Sequence, residues 1–427
     1  MYYSVKYTTR FDMVTSAIDF GTTNSVAGIN YNNKINMINL DKNKLETRSV
    51  LFYSFEDHSF YIGSDAFDEI NDGVNGRYLQ SLKSFLGSED NIEIVLGTKS
   101  YLIEDLIAIM LKRFKNKMES KINTEIQNVV LGRPVRFNDF DKLLDKKAED
   151  RLKSAALKAG FKEIIFQYEP IAGALSYEKK VQKEEIILVV DIGGGTTDYS
   201  IIKVDKNNKK IDRSDDILSN YGVYVGGNSF DSSIIKNFIS PLLGKGSLYK
   251  SVDKDTVVPS LYYHDLSQWH LFQKLINQKT INRLKELIPK SHEKEKIQRL
   301  LELIQDNLFF DFSNIIMDGK MALSSSQTTA MNMDIFSNSF LLNLSRESFN
   351  KTIYNDIQEI DQALHETVKQ ANISFEKIDK VFLTGGSTLV PEVKALYEKY
   401  FTKEKIVHTD VFTSVGYGLT LFSKKVW

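Results

Sequence analysis

Asp191 closes an apolar run and opens onto three glycines, two threonines and a second acid in the stretch LVVDIGGGTTDYSII. Consecutive glycines let backbone N–H groups converge on a concavity that favours an anion, and they leave no Cβ in the path of a phosphate. Thr196 and Thr197 add hydroxyl donors, whereas Asp191 and Asp198 would repel a phosphate on its own. A divalent cation resolves that conflict, because Mg²⁺ keeps several waters and is held by one or two carboxylates together with phosphates. A second acid-led turn, AIDFGTTNSVAGI, sets Asp19 ahead of Gly21, Thr22, Thr23 and Asn24 in the same way. Asp19 and Asp191 are the natural metal-binding pair. One glycine-rich turn alone would be an ordinary hairpin. Two acid-led copies, with a third related turn at Gly385, Gly386 and Ser387 in VFLTGGSTLVP, point to a nucleotide seat. The chain has no G-x-x-x-x-G-K-[ST] and no G-x-G-x-x-G after a strand, so neither the P-loop nor the Rossmann pattern is present.

These turns need elements to hold them. TSAIDFGTTNSVAGIN reads as strand, tight turn and strand, and INMINL and SVLFYSF continue as strands. YLIEDLIAIMLKRFKNKM has the three- and four-residue apolar spacing of an amphipathic helix. IQNVVLGRPV and EIIFQYEP read as strands, DRLKSAALKAGF as a helix closed by Gly160, and IAGALSYEKK opens another helix. Between Pro241 and Ser313 the texture is helical, in LSQWHLFQKLINQ, TINRLKELI and EKIQRLLELIQDNLFF. SVGYGLTLFSKKVW reads as a final helix. The recurrence of the acid-led turn predicts a duplicated α/β domain, one copy per half, with both acids facing one cleft.

Composition narrows the partners. The chain has 427 residues, a net charge of −1 and no cysteine. No global field favours nucleic acid or an anionic membrane, and disulfides and thiolate chemistry are excluded. The first residues lack an apolar leader and no run is long enough to span a bilayer, so the expected location is the cytoplasm, with residues before about Met13 a loose extension. The six histidines show no paired metal spacing and read as structural or surface residues, Trp269-His270 included.

AIDFGTTNS, YEPIAGALSY, LVVDIGGGTTDYSII, YVGGNSFD and VFLTGGSTLVPEV resemble, in order, the five nucleotide-site segments of the actin-like ATPase superfamily. They are most similar to the ATPase domain of DnaK-type heat-shock chaperones, the heat-shock protein 70 family. The helical insertion and early stop resemble the short YegD-like branch, which lacks the peptide-binding module. The resemblance implies a two-lobed α/β fold, a duplicated ribonuclease H-like core with a helical insertion in the second lobe. Lobe I would take residues 1–185, with a small subdomain at about 41–100. Lobe II would take 186–427, with the helical subdomain at about 236–315 and a C-terminal helix returning to the hinge.

It also implies roles. Asp19 and Asp191 would hold hydrated Mg²⁺. Gly21, Thr22, Thr23 and Asn24 would contact β- and γ-phosphate, and Gly193, Gly194, Gly195 and Thr196 would close from the other side, with Gly226 and Gly227 nearby. Glu169 and Asp198 would order waters, and Lys83, in SLKSFLG, would position the attacking water. Lys320, Ser324, Gly385, Gly386 and Ser387 match the nucleoside site. Met321 and Leu389 stand where the chaperones have the two arginines that sandwich adenine. Their loss removes cation–π stacking of about 0.5–2 kcal/mol each. Met317 replaces a ribose-contacting glutamate, with Asp318 one residue off, and Phe412 replaces an acid. The expectation is a slow Mg-ATP switch that binds ATP and ADP, with a protein client or co-chaperone as possible partner and no affinity for nucleic acid or membrane. A sugar-type small-molecule kinase, a nucleotide-dependent actin-like filament protein and a non-hydrolysing ATP sensor are the alternatives.

Overall fold

The computed structural model describes residues 14–138, 141–178, 181–208, 210–251, 254–268, 271–408 and 414–427. The N-terminal extension, Trp269-His270 and Phe412 lie outside these residues. The chain forms two compact units. The first comprises residues 1–223, 363–386 and 398–427, and the second 224–362 and 387–397.

The first unit holds two sheets of matching topology. In one, Thr15–Phe20 pairs antiparallel with Asn24–Tyr31, which pairs antiparallel with Lys34–Ile38; on its other side it runs parallel to Asn128–Arg133, then Glu163–Tyr168. In the other, Glu185–Ile192, Thr197–Val204 and Ile217–Val223 repeat the antiparallel meander, and Lys380–Thr384 and Ile406–His408 repeat the parallel pair. The predicted duplication is therefore real at the level of strand order and direction. A short strand, Glu46–Arg48, adds to the first sheet.

Alternation along each strand sorts side chains between two faces. Ile18, Val129 and Leu131 face one core, with helices Ile103–Ile122 and Lys142–Lys158. Ala17 and Val130 face the other way, onto helices Glu169–Glu178 and Ser414–Val426. Helix Glu169–Glu178 has a second apolar side, Ile171 and Ala174, which packs on Val189, Ile202 and Phe382 of the second sheet. It is thus a shared wall for both sheets. At Gly418 a Cβ would overlap the Ala172 carbonyl oxygen, so the two helices cross at backbone contact.

The helix Lys142–Lys158 starts eight residues before the expected Asp150, because Asp141 caps it, accepting from the N–H groups of Leu143 and Leu144. Gly160 ends it with φ +95°. The expected helix Tyr101–Met118 instead begins at Ile103, and Lys99–Leu102 is a hairpin strand.

The second unit carries helices Gly227–Ile234, Gln278–Leu287, Lys294–Gln305 and Phe309–Ser325 and two antiparallel hairpins, Leu248–Lys250 with Asp255–Val257 and Thr328–Asn332 with Leu341–Ser345. LSQWHLFQKLINQ is not one helix: helix Leu261–Leu266 ends at its start, and the described remainder holds a single turn, Phe272–Lys274. Its apolar spacing serves packing instead, with Phe272 stacked on Phe309 at 3.5 Å. No helix among the described residues is long and apolar enough to cross a membrane.

Candidate functional site

Strand periodicity aims both acids at one helix. Asp19 lies two residues beyond Ala17, and Asp191 two beyond Val189, so each shares the face turned toward helix Glu169–Glu178. The first residue of that helix is Glu169. Gly132 on the neighbouring strand leaves it room, since a Cβ there would come within 3.2 Å of Glu169 Cγ. Lys83, on the short turn Leu82–Phe85, donates to Glu169 Oε1 at 2.7 Å, and the pair is largely buried.

The electrostatics show that these groups act on one another. Burial, Glu169 and Asp191 push the Asp19 carboxyl up to about 8, against the pull of Lys83. Burial and Glu169 push Asp191 up to about 6, again opposed by Lys83. Burial lowers the Lys83 affinity for its proton, but Glu169 and Asp19 outweigh it and the net shift is upward, so Lys83 is a firm cation. With all three acids ionised around one ammonium the centre would carry an excess of negative charge, which a cation would relieve and which without one keeps protons on Asp19 and Asp191.

The two acid-led turns are built alike but not identically. Asp19 pairs across its hairpin with Val26, whereas Asp191 pairs with Asp198, so the second copy carries an additional acid. Thr196 Oγ1 donates to Asp198 Oδ2 at 2.8 Å, and Gly193 N–H closes the turn onto the Thr196 carbonyl at 3.0 Å. A Cβ at Gly195 would meet nothing within 4 Å, and one at Gly193 only the Thr196 carbonyl at 3.9 Å, so the turn presents open backbone. In the first turn a Cβ at Gly21 would overlap the Asn24 carbonyl oxygen; Thr22, Thr23 and Asn24 are partly exposed, and the Thr23 carbonyl accepts from Ser49 N–H at 2.7 Å. The third turn presses on the second. Gly385, at φ +86°, lies where a Cβ would overlap the Ile192 carbonyl oxygen and come within 2.8 Å of Asp191 Oδ1.

Beside these groups an open cleft is lined by Glu169, Asp191, Asp198, Thr384, Ser200 and Asn220 and by the apolar Pro134, Val135 and Val415. Thr384, Ser200 and Asn220 escaped the sequence reading, because polar residues inside strands carry no motif of their own. Among the described residues no group of three or more His, Asp, Glu or Cys side chains has metal-site geometry. Asp19 and Asp191 with the bare turns nonetheless suit a hydrated divalent ion shared with phosphate oxygens, which needs few protein ligands.

The remaining expected residues divide between the units. Gly386 follows Gly385 in the first unit, whereas Gly226, Gly227, Lys320, Ser324 and Ser387 lie in the second. Gly226 and Gly227 open helix Gly227–Ile234. Lys320 is engaged there by Asp231 at 2.8 Å and by the Gly227 carbonyl at 3.0 Å. Asp231 was not singled out, although it sits in the quoted YVGGNSFD. Ser324 is one turn beyond Lys320 on helix Phe309–Ser325. Met321 and Leu389 are exposed, at 59% and 44%. Of the histidines with described side chains, His58 bonds Tyr53, His264 pairs with Asp265, His292 pairs with Asp255, and His365 bonds Tyr400.

A sequence model for the family described as Hsp70 protein matches residues 82–256 and 284–423. Similar curated relatives include the chaperone protein DnaK of Mycoplasma mycoides subsp. mycoides SC, 29% identical over 93% of this chain and 57% of its own. The chaperone protein HscA homolog of Haemophilus influenzae is 23% identical over 95% of this chain and 56% of its own. The chaperone protein DnaK of Ureaplasma urealyticum is 28% identical over 91% and 54%. The chain spans a little over half the length of these relatives.

Proposed function

The chain belongs to the Hsp70 family and has its α/β actin-like ATPase fold, and from that we propose that it binds Mg-ATP and hydrolyses it slowly as a molecular switch. The convergence of Asp19 and Asp191 on Glu169 and Lys83, at matching positions of two copies of one sheet, carries the reading. A bound hydrated Mg²⁺ would supply charge neutralisation for the phosphate oxygens.

The chain's own residues do the rest by position and field. Asp19 and Asp191 would hold the cation's waters. The N–H groups of the Gly21–Asn24 and Gly193–Thr196 turns would face the phosphates. Glu169 fixes the Lys83 ammonium at 2.7 Å, and Lys83 would orient the attacking water. Asp198, steadied by Thr196, would accept from a water of the same shell. In the second unit Gly226, Gly227, Lys320, Ser324 and Ser387 would serve phosphate and nucleoside, with Met321 and Leu389 offering apolar contact to the base in place of cation–π stacking. Turnover would be about 0.01–1 per second or slower, a barrier of roughly 17–20 kcal/mol or more.

The family relationship supports a nucleotide-driven role toward a protein client or co-chaperone in the cytoplasm, with the copies 1–185 and 186–427 as the lobes of the switch. Calorimetry with ATP and ADP, with Mg²⁺ or EDTA, tests the binding. Single-turnover hydrolysis by the parent, Asp19→Asn and Asp191→Asn proteins tests the chemistry. Equal turnover in all three would reject the assignment.

A further inference from the structure

The Lys83 turn is short, and its own hydrogen bonds are few. Ser84 N–H reaches the Ser81 carbonyl at 3.0 Å and Leu86 N–H reaches the Lys83 carbonyl at 3.1 Å. Ser81 adopts φ +57°, a conformation that costs a non-glycine residue free energy. Such a turn needs an external hold if its lysine is to keep a fixed place.

Arg151 provides one. It lies on helix Lys142–Lys158, is 8% exposed, and donates four hydrogen bonds to the segment that follows Lys83. Nη1 reaches the carbonyls of Leu86 at 2.6 Å and Ser88 at 2.8 Å. Nη2 reaches the Asp90 carbonyl and Asn91 Oδ1, both at 2.9 Å. One helical turn earlier, Lys147 donates to the Glu89 carbonyl at 2.5 Å. All four Arg151 acceptors are neutral, three backbone carbonyls and the Asn91 side chain, so the guanidinium holds this segment and is not spent on an acid. A planar fork suits that task, because several donors are fixed by one rigid group. Leu82 and Leu86, both fully buried, anchor the turn from inside. The path is short: Arg151 holds the Leu86 carbonyl, the Leu86 N–H holds the Lys83 carbonyl, and the Lys83 ammonium meets Glu169.

We propose that Arg151 is a positioning residue for Lys83, clamping residues 86–91 so that the ammonium stays on Glu169 and in register with the acidic centre. The kinetic part rests on the ATPase reading, whereas the structural part does not.

The experiment compares the full chain with Arg151→Gln, Lys83→Ala and the double variant. Amide hydrogen exchange over residues 83–91 and the ¹³C signal of reductively methylated Lys83 are read without nucleotide. Single-turnover rate and Mg-ATP affinity are read with it. Arg151→Gln is expected to speed exchange at 83–91 and shift the Lys83 signal. It should slow hydrolysis roughly ten- to hundredfold while affinity stays within about twofold, as expected when a reacting group is misplaced and not lost. The double variant should be no slower than Lys83→Ala, since both changes remove one function. Unchanged exchange and an unchanged Lys83 signal in Arg151→Gln would overturn the proposal, as would slowdowns that multiply in the double variant. If Arg151→Gln does not fold, Asn91→Ala removes one of the four acceptors and is expected to give the same changes to a smaller extent; no change there overturns it equally. A parent protein with no ATP turnover would reject the functional reading alone, because the exchange and ¹³C results still decide the role of Arg151.

Discussion

Asp19 and Asp191 hold their protons more tightly in the folded chain than an unfolded carboxylate does, at about 8 and 6 against an ordinary 3.8. Between these values the folded state binds more protons than the unfolded one, so stability without metal falls as pH rises. The contribution is complete below about pH 4, and it is lost through pH 6 for Asp191 and pH 8 for Asp19. In EDTA the melting temperature should therefore rise as pH is lowered from 8 to 5.5. Asp19→Asn should flatten that slope and stabilise the metal-free protein at pH 8, by about 1 kcal/mol or more, while abolishing Mg-ATP binding. Parallel pH profiles for the parent and the variant would refute this. Gly385→Ala places a Cβ against the Ile192 carbonyl and Asp191 in a left-handed backbone. It should cost roughly 2 kcal/mol or more by denaturant titration and weaken Mg-ATP binding as well. The sequence made both acids and all three turns legible, because the acid-led Gly/Thr string occurs twice after apolar runs and the Gly-Gly-Ser-Thr turn follows a third. Arg133 and Arg151 were not legible. Arg133 joins Asp145, Glu149 and the carbonyls of Pro134 and Val135, and each of these partners is a residue with no motif around it.

Helices and strands were readable where one period dominated. The hairpins around Asp19 and Asp191 and the final helix follow the expected spans closely. The hairpin Leu248–Lys250 with Asp255–Val257 was missed because strands of three residues hold too little alternation to show a period. What no pattern reveals is how elements lock together. Arg213, 2% exposed, binds Glu178 at 2.6 Å and also Asp216, tying the end of helix Glu169–Glu178 to a loop of the second sheet. Removing one partner of such a cluster strands the others, so Arg213→Ala should cost about 3–5 kcal/mol in urea unfolding. A loss below 1 kcal/mol would mean the cluster is solvated in solution. At the helix crossing, Gly418→Leu should separate helix Ser414–Val426 from Ala172 and destabilise the chain by roughly 3 kcal/mol or more, read as a lower melting temperature. Retention of the parent's melting temperature would show that the crossing can open without cost.

At the scale of the molecule, duplication supplies two turns, and the intervening segments supply the largest differences between the copies. The 224–362 insertion enters after the third strand of the second sheet, and the 39–127 segment, with Lys83, enters at the equivalent point of the first. The duplication was inferred from two short strings, and the sheets bear it out strand by strand. The division into compact units could not be read in the same way, because it depends on contacts among residues far apart in the chain. A ligand that binds only the folded state stabilises the whole, by about 2.7 kcal/mol at one hundred times its dissociation constant. Mg-ATP at that excess should raise the melting temperature by several degrees, and EDTA should abolish the effect. Equal stabilisation with EDTA present would remove the metal from the account.

One face of the first sheet is covered by residues 414–426, encoded some four hundred positions after the strand Thr15–Phe20 that they rest on. A ribosome therefore releases these strands long before it makes this part of their cover. Helix Glu169–Glu178 reaches Ala17 and Val130 first, through Ala172 and Leu175, and Leu419 and Phe422 close the face only after more than two hundred further residues have been made.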